Sequence, residues 1–293
     1  MAAIIGAGKA TCHVRSISLP ARSHPLTLSA EVQIDRLRSS QATQSSACDK
    51  LNGLKNLYES IDDLLQLPLT QQTLANEKNR KSVDEVLDGS LRLLDVCGST
   101  IDIFSQMKEY LKEVESSLRR RKGGETGLLN EVEAYISSRK IINKVISKCF
   151  RNLKSSKNNS SSTLLDKDSN AVAVIGTLRK VEQISVSVCE SLLSMLSQPK
   201  TKSRPSGWSI VSKLLQSDRA LCKGQVGSNE VKMIDAELLA VKSIKNVNLE
   251  QVQIILKGLE ALESSIQEAE KELECVYRKL LNTRVTILNM INQ

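Results

Sequence analysis

"NLEQVQIILKGLEALESSIQEAEKELECVYRKLLNTRVTILNMINQ", residues 248–293, decides the fold. Val252, Leu259, Ile266, Leu273, Leu280 and Ile287 recur every seven residues, and Ile255, Leu262, Ala269, Val276, Thr283 and Met290 follow each of them by three. These are the a and d positions of a heptad, the period that keeps one stripe of an α-helix facing a partner. The stretch predicts one helix of roughly 65 Å at 1.5 Å per residue. Leu249, Ile254, Leu256, Leu281, Val285 and Leu288 lie outside the seam and widen the apolar stripe beyond a two-helix contact. That width favours the core of an intramolecular bundle over pairing with a second chain.

The helical period continues upstream. "CDKLNGLKNLYESIDDLLQL" (48–67) puts Cys48, Leu51, Leu54, Tyr58, Ile61 and Leu65 on one helix face, and Pro68 marks a boundary or kink. "SVDEVLDGSLRLLDVCG" (82–98) has Ser82 and Glu85 in capping-box spacing, a stripe of Val83, Val86, Leu87, Leu91 and Leu94, and Gly98 as a C-cap. A further helix, with Ser99 or Thr100 as its cap, carries Ile103, Phe104, Met107, Leu111, Val114 and Leu118 and ends in basic residues. Leu128, Val132, Tyr135, Ile142, Val145, Cys149 and Leu153 make the stripe of the next, over about 127–154. "KSSKNNSSSTLLDKDSN" (154–170) is polar and rich in Ser and Asn, which predicts a flexible linker. A helix of about 171–198 follows, and then "SQPKTKSRPSGW", closed by the packing anchor Trp208. The expected organisation is a disordered basic tail over 1–28, an N-terminal helical half over 29–154, a linker over 155–170 and a C-terminal half over 171–293 that packs on the first. The fold class is all-α: an elongated antiparallel helical bundle ending in a long heptad-patterned helix.

Composition narrows the function. Aromatics are only 2% of the 293 residues, so the core is aliphatic and no stacking platform for single-stranded nucleic acid is expected. The net charge of +8 suits an anionic partner without specifying one. Seven cysteines, at 12, 48, 97, 149, 189, 222 and 275, stand far apart with no C-x-x-C pair, which reads as reduced thiols in a reducing compartment rather than as metal ligands. No apolar run approaches the 18 or so residues of a membrane span; the longest is "AVAVIG" at 171–176.

Catalytic chemistry is hard to place. His13 and His24 both fall in the expected tail, without a scaffold to orient them. "GAGK" (6–9) lacks the length, the Ser or Thr and the preceding strand of a phosphate loop. The acidic clusters Asp62-Asp63 and Glu268–Glu274 sit among Lys and Arg and read as solvated helix faces. The sequence therefore points to a protein that is not an enzyme and needs no cofactor. Arg119, Arg120, Arg121 and Lys122 close a helix, where cations complement its dipole; the same four residues would also serve as an anionic-lipid or localisation patch.

"HVRSISLPARSHP" (13–25), "LPLTQQTLA" (67–75), "VDEVLDGSLRLLDVCG" (83–98), "QMKEYLKEVESSLRRRKG" (106–123), "EVEAYISSRK" (131–140) and "ELECVYRKLLNTRVTILNMIN" (272–292) resemble, in the same order, the land-plant BYPASS family of root and shoot development. The resemblance spans nearly the whole chain from His13. It implies an all-helical plant protein with a role in organ development, and no particular reaction. Family members begin a few residues before the HVRS block, whereas "MAAIIGAGKATC" stands in front of it here, which suggests an added targeting function.

Three readings fit residues 1–28. The stretch has no acidic residue, spaced Lys9, Arg15 and Arg22, and frequent Ala and Ser, as in an organelle transit peptide directed to the chloroplast. It also reads as a plain retained tail. The sharpest reading rests on Arg15, Ser16, Ser18 and Pro20, which fit R-S-x-S-x-P: phosphorylated at Ser18, the segment would offer a doubly charged group to the arginines of a 14-3-3 protein. The expectation is a cytoplasmic regulatory or adaptor protein whose partner is a 14-3-3 or another helical protein, with at most peripheral membrane contact. The competing reading is a bundle that binds or processes a small apolar signalling metabolite.

Overall fold

The computed structural model describes residues 24–42, 45–120, 125–158, 169–197, 228–243 and 249–292. Its helices are α1 (Pro25–Ala42), α2 (Ala47–Leu65), α3 (Pro68–Ala75), α4 (Arg80–Arg120), α5 (Glu125–Asn158), α6 (Ser169–Leu196), α7 (Ser228–Ser243) and α8 (Leu249–Ile291), with a 3-10 turn at Glu77–Asn79 leading into α4. The described residues contain no strand, and the fold is an all-helical bundle with a long C-terminal helix. α1 begins at Pro25, inside the stretch read as tail, and α5 runs to Asn158, inside the stretch read as linker. The phospho-motif, Trp208, Cys12 and Cys222 lie outside the described residues.

Local chemistry sets several helix ends. Ser46 caps α2: its hydroxyl accepts the Asp49 N–H at 3.0 Å, and the Asp49 carboxylate accepts the Ser46 N–H at 3.3 Å. Two otherwise orphaned donors are thereby satisfied reciprocally. Pro68 stands in the first turn of α3, where its missing N–H costs nothing.

Where the residues around Gly98 suggest a stop and a fresh start, the structure has one unbroken helix, α4, of 41 residues. Ser82 is not its cap but a buried residue of its first turn, and Gly98 lies mid-helix. Thr100 is not a cap either; its hydroxyl donates back to the Val96 carbonyl at 2.7 Å. The reason is phase. Leu93, Leu94, Val96, Cys97, Thr100, Ile103, Phe104 and Met107 form one buried face across the glycine, and the packing of that face outweighs a cost of ~1 kcal/mol for glycine in a helix. Phase also corrects the first stripe: Leu91 is 47% exposed, and Leu93 takes the core position.

Side-chain ties between helices reveal their directions. Arg80 donates to the Ile291 carbonyl at 3.0 Å, Lys112 meets Glu263 at 3.2 Å, and Arg119 meets Glu260, so α4 and α8 run antiparallel along their whole lengths. Lys55 pairs with Glu272 and Lys279 with Glu59, both at 3.1 Å, so α2 runs parallel to α8. Toward the N-terminal end of α8, α7 takes over, antiparallel to it, with Ile234 against Gly258 and Glu230 beside Ser265. There a Cβ on Gly258 would stand 2.7 Å from Ile234 Cδ1, so a larger residue would push that side-chain tip aside.

All six a residues and all six d residues of the heptad are buried, and α8 is a staple of a single core reaching from Ala30 to Met290. At ~1.5–3 kcal/mol for each buried Leu, Ile or Val, this core is the main stabilising term. Outside the seam, Ile254, Leu281 and Val285 face solvent, while Leu256 and Leu288 pack against the core.

Candidate functional site

The described residues bring few of the expected site residues together. His24 stands just before α1, and its Nδ1 accepts the Leu26 N–H at 3.2 Å. That contact serves the helix start rather than any chemistry. Arg119 is engaged with Glu115 at 2.6 Å and with Glu260 of α8, so it ties two helices; Arg120 is exposed and donates to the Ser116 carbonyl at 3.2 Å. Arg121 and Lys122, like Arg15, Ser16, Ser18 and Pro20, lie outside the described residues.

The acidic clusters are not simply solvated. Glu270 is buried between α4 and α8, where its carboxylate accepts from the Ser105 hydroxyl at 2.6 Å and pairs with Lys108. Asp62 accepts from the Thr283 hydroxyl at 2.9 Å, which explains why a polar Thr occupies a d position. Burial raises the Asp62 carboxyl above its ordinary range against the opposing pull of Thr283.

Cys48, Cys97, Cys149, Cys189 and Cys275 are free thiols. Cys97 of α4 and Cys189 of α6 face each other across the core with their sulfurs 3.9 Å apart, and the contact with Cys97 together with burial keeps the Cys189 thiol well above the usual range. Burial beside Glu268 and Glu272 pushes the Cys48 thiol up to about 11. Thiols held protonated in this way are poor nucleophiles. Nearby, the Tyr58 hydroxyl lies 3.0 Å from Ser185 Oγ, which itself donates to the Val181 carbonyl at 2.7 Å. Tyr58 is therefore the donor, and burial keeps its phenol above the ordinary range.

The densest polar cluster was not singled out by any motif. Arg139 of α5 is fully buried, and its guanidinium reaches Asp235 of α7 with Nε to Oδ1 at 3.0 Å and Nη2 to Oδ2 at 2.9 Å. Nη2 also donates to the Leu196 carbonyl at 2.9 Å, and Nη1 lies 3.8 Å from Met107 Sδ. Tyr135 completes the set, its hydroxyl donating to Asp235 Oδ1 at 2.7 Å. Burial, then the Asp235 charge, hold the Tyr135 phenol well above its usual range. One cation thus joins α4, α5, α6 and α7 and satisfies a carbonyl in the last turn of α6, where positive charge is favoured.

A readable signal existed for this cluster. Ser138 and Arg139 occupy the gap in the α5 stripe between Tyr135 and Ile142, and Asp235 sits between Ile234 and Leu238 on the buried face of α7. Charged residues in apolar phase are buried only when paired. Chemically the cluster is closed on itself: Tyr135 keeps its proton, and the guanidinium and carboxylate neutralise each other. Its work is to set the relative positions of four helices.

Among the described residues no group of three or more His, Cys, Asp or Glu side chains is arranged to hold a metal ion. No described helix is long and apolar enough to cross a membrane. The model of one protein family, described as Protein BPS1, matches residues 50–290. No curated protein and no solved structure matches the chain.

Proposed function

The chain belongs to the BPS1 family, a plant family connected with development, and from that premise we propose that it works as a non-enzymatic helical adaptor in root and shoot development. The bundle is the scaffold. The segment carrying Arg15, Ser16, Ser18 and Pro20 is a handle that a 14-3-3 protein grips once Ser18 is phosphorylated.

One observation favours a scaffold over a catalyst. The two densest buried polar clusters, Arg139–Asp235–Tyr135 and Ser105–Glu270–Lys108, are spent internally, and both link helices. Catalytic groups need partly unsatisfied, accessible functionality at a substrate-sized opening.

The test is a pull-down with purified 14-3-3 protein, using the full chain phosphorylated at Ser18, the Ser18→Ala variant and a chain lacking residues 1–23, which leaves α1 whole. Micromolar binding by the phosphorylated chain alone supports the handle. Equal binding by the alanine variant overturns it.

A further inference from the structure

α5 and α6 both pack on α4, and they approach each other closely at the end where Arg139 holds the Leu196 carbonyl. Beyond that point they leave an open groove of about 1090 Å³ between them, with the C-terminal end of α1 on its flank. The α6 wall is a row of hydroxyls, Ser187, Ser191 and Ser194, at spacings of four and three. Its residues sit beside the buried aliphatic stripe of the same helix, so the row is not one that apolar packing could close.

The charges around the groove are unbalanced. Lys50 of α2 is buried, yet its ammonium has a hydroxyl as its partner, Ser191 Oγ at 3.0 Å, and no carboxylate among the described residues. An ammonium has three donors and is costly to bury without an anion. Arg151 and Lys154 stand on the α5 wall, and Glu190 is the one carboxylate among the described lining residues. On the flank, the Nε2 of Gln41 is buried without a hydrogen-bond partner among the described residues. Arg151, Lys154, a spare amide donor and hydroxyls that both donate and accept line one opening, whose volume suits a small organic ligand. Lys50 stands behind its wall on Ser191.

We propose that the groove between α5 and α6 binds a phosphorylated polyol, either free or as the headgroup of a lipid. Phosphate oxygens are taken by Arg151 and Lys154, the ring hydroxyls by the serines of α6, and Lys50 adds its charge from behind the wall through Ser191. Charge-assisted hydrogen bonds supply the affinity, and the serine row supplies the preference for a polyol over bare phosphate.

Titration calorimetry of the full chain with inositol trisphosphate, inorganic phosphate and myo-inositol tests this, together with co-sedimentation on phosphatidylcholine vesicles with and without phosphatidylinositol bisphosphate. The expected result is micromolar binding of inositol trisphosphate, or of the phosphoinositide vesicles, or both. Lys50→Met weakens it at least about tenfold, as does the exposed pair Arg151→Gln/Lys154→Gln, while the charge-matched pair Lys257→Gln/Lys271→Gln on α8 leaves it within twofold. Binding of the soluble probe without vesicles assigns a free ligand, and vesicle binding lost in the groove variants assigns a headgroup. Failure of both probes overturns the proposal. So does equal weakening by the α8 pair, which would mark diffuse attraction to the +8 net charge.

Discussion

Arg139 Nη2 donates to Asp235 Oδ2 at 2.9 Å across the interface of α5 and α7, with both residues buried. The pair stands 96 positions apart in sequence and fixes α7, a helix of only 16 residues, to the longer elements around it. Replacing one partner leaves the other charge stranded. Asp235→Ala is expected to lower stability by about 3–5 kcal/mol in urea unfolding, and Arg139→Met/Asp235→Leu to recover most of that loss. A cost of Asp235→Ala below about 1 kcal/mol would show the guanidinium finding other partners.

The heptad seam supplies a contrast within one helix. Leu273 is buried and Leu281 is 41% exposed, although both are leucines of α8. Leu273→Ala should cost about 2–5 kcal/mol by chemical denaturation, and Leu281→Ala no more than about 0.5 kcal/mol.

Gly98 tests the continuity of α4. Nothing lies within 4 Å of a Cβ built there, and the residue is helical. Gly98→Ala is therefore expected to raise stability by about 0.5–1 kcal/mol, seen as a higher melting temperature. A glycine ending a helix in the left-handed conformation would give the opposite sign.

Glu237 of α7 sets a pH dependence. Its Oε2 is buried without a hydrogen-bond partner among the described residues, and burial raises its carboxyl above the ordinary glutamate range. In the window between the unfolded and the raised folded value the native state holds more protons, so stability falls as pH rises through that window. Glu237→Gln mimics the protonated form. It should stabilise the protein near pH 7 and lose the advantage below about pH 4, compared by urea midpoints at the two pH values.

The thiols should separate by burial. Cys97 and Cys189 face each other inside the core, whereas Cys275 is partly accessible. Mass spectrometry after brief alkylation of the native chain should find Cys275 labelled ahead of both, with all three equal in denaturant. Early labelling of Cys189 would mean that α4 and α6 part readily.

Much of the fold is legible in the residues because helical phase is a local property. The a and d positions of α8, the face from Leu51 to Leu65 and the run from Ile103 to Leu118 are buried as their spacing requires. The reading failed where a local stop signal competed with a phase that ran on, at Ser82 and Gly98, because burying a continuous face outweighs a cap or a glycine. The Ser46–Asp49 capping box is present in the letters, its serine two residues ahead of Cys48 where the apolar stripe begins.

The candidate sites divide along the same line. That Arg139 and Asp235 each stand in apolar phase is written in their own helices, and so is the row of Ser187, Ser191 and Ser194. That Arg139 meets Asp235, that Lys50 reaches Ser191 from 141 positions away, and that α2 runs parallel to α8 while α4 runs antiparallel, are not. By itself the sequence determined helix content, the buried faces and family membership, since each depends on residues within a few turns of one another. Only the tertiary structure decided which faces meet, because pairing of distant helices is settled by the joint packing of all of them around one core.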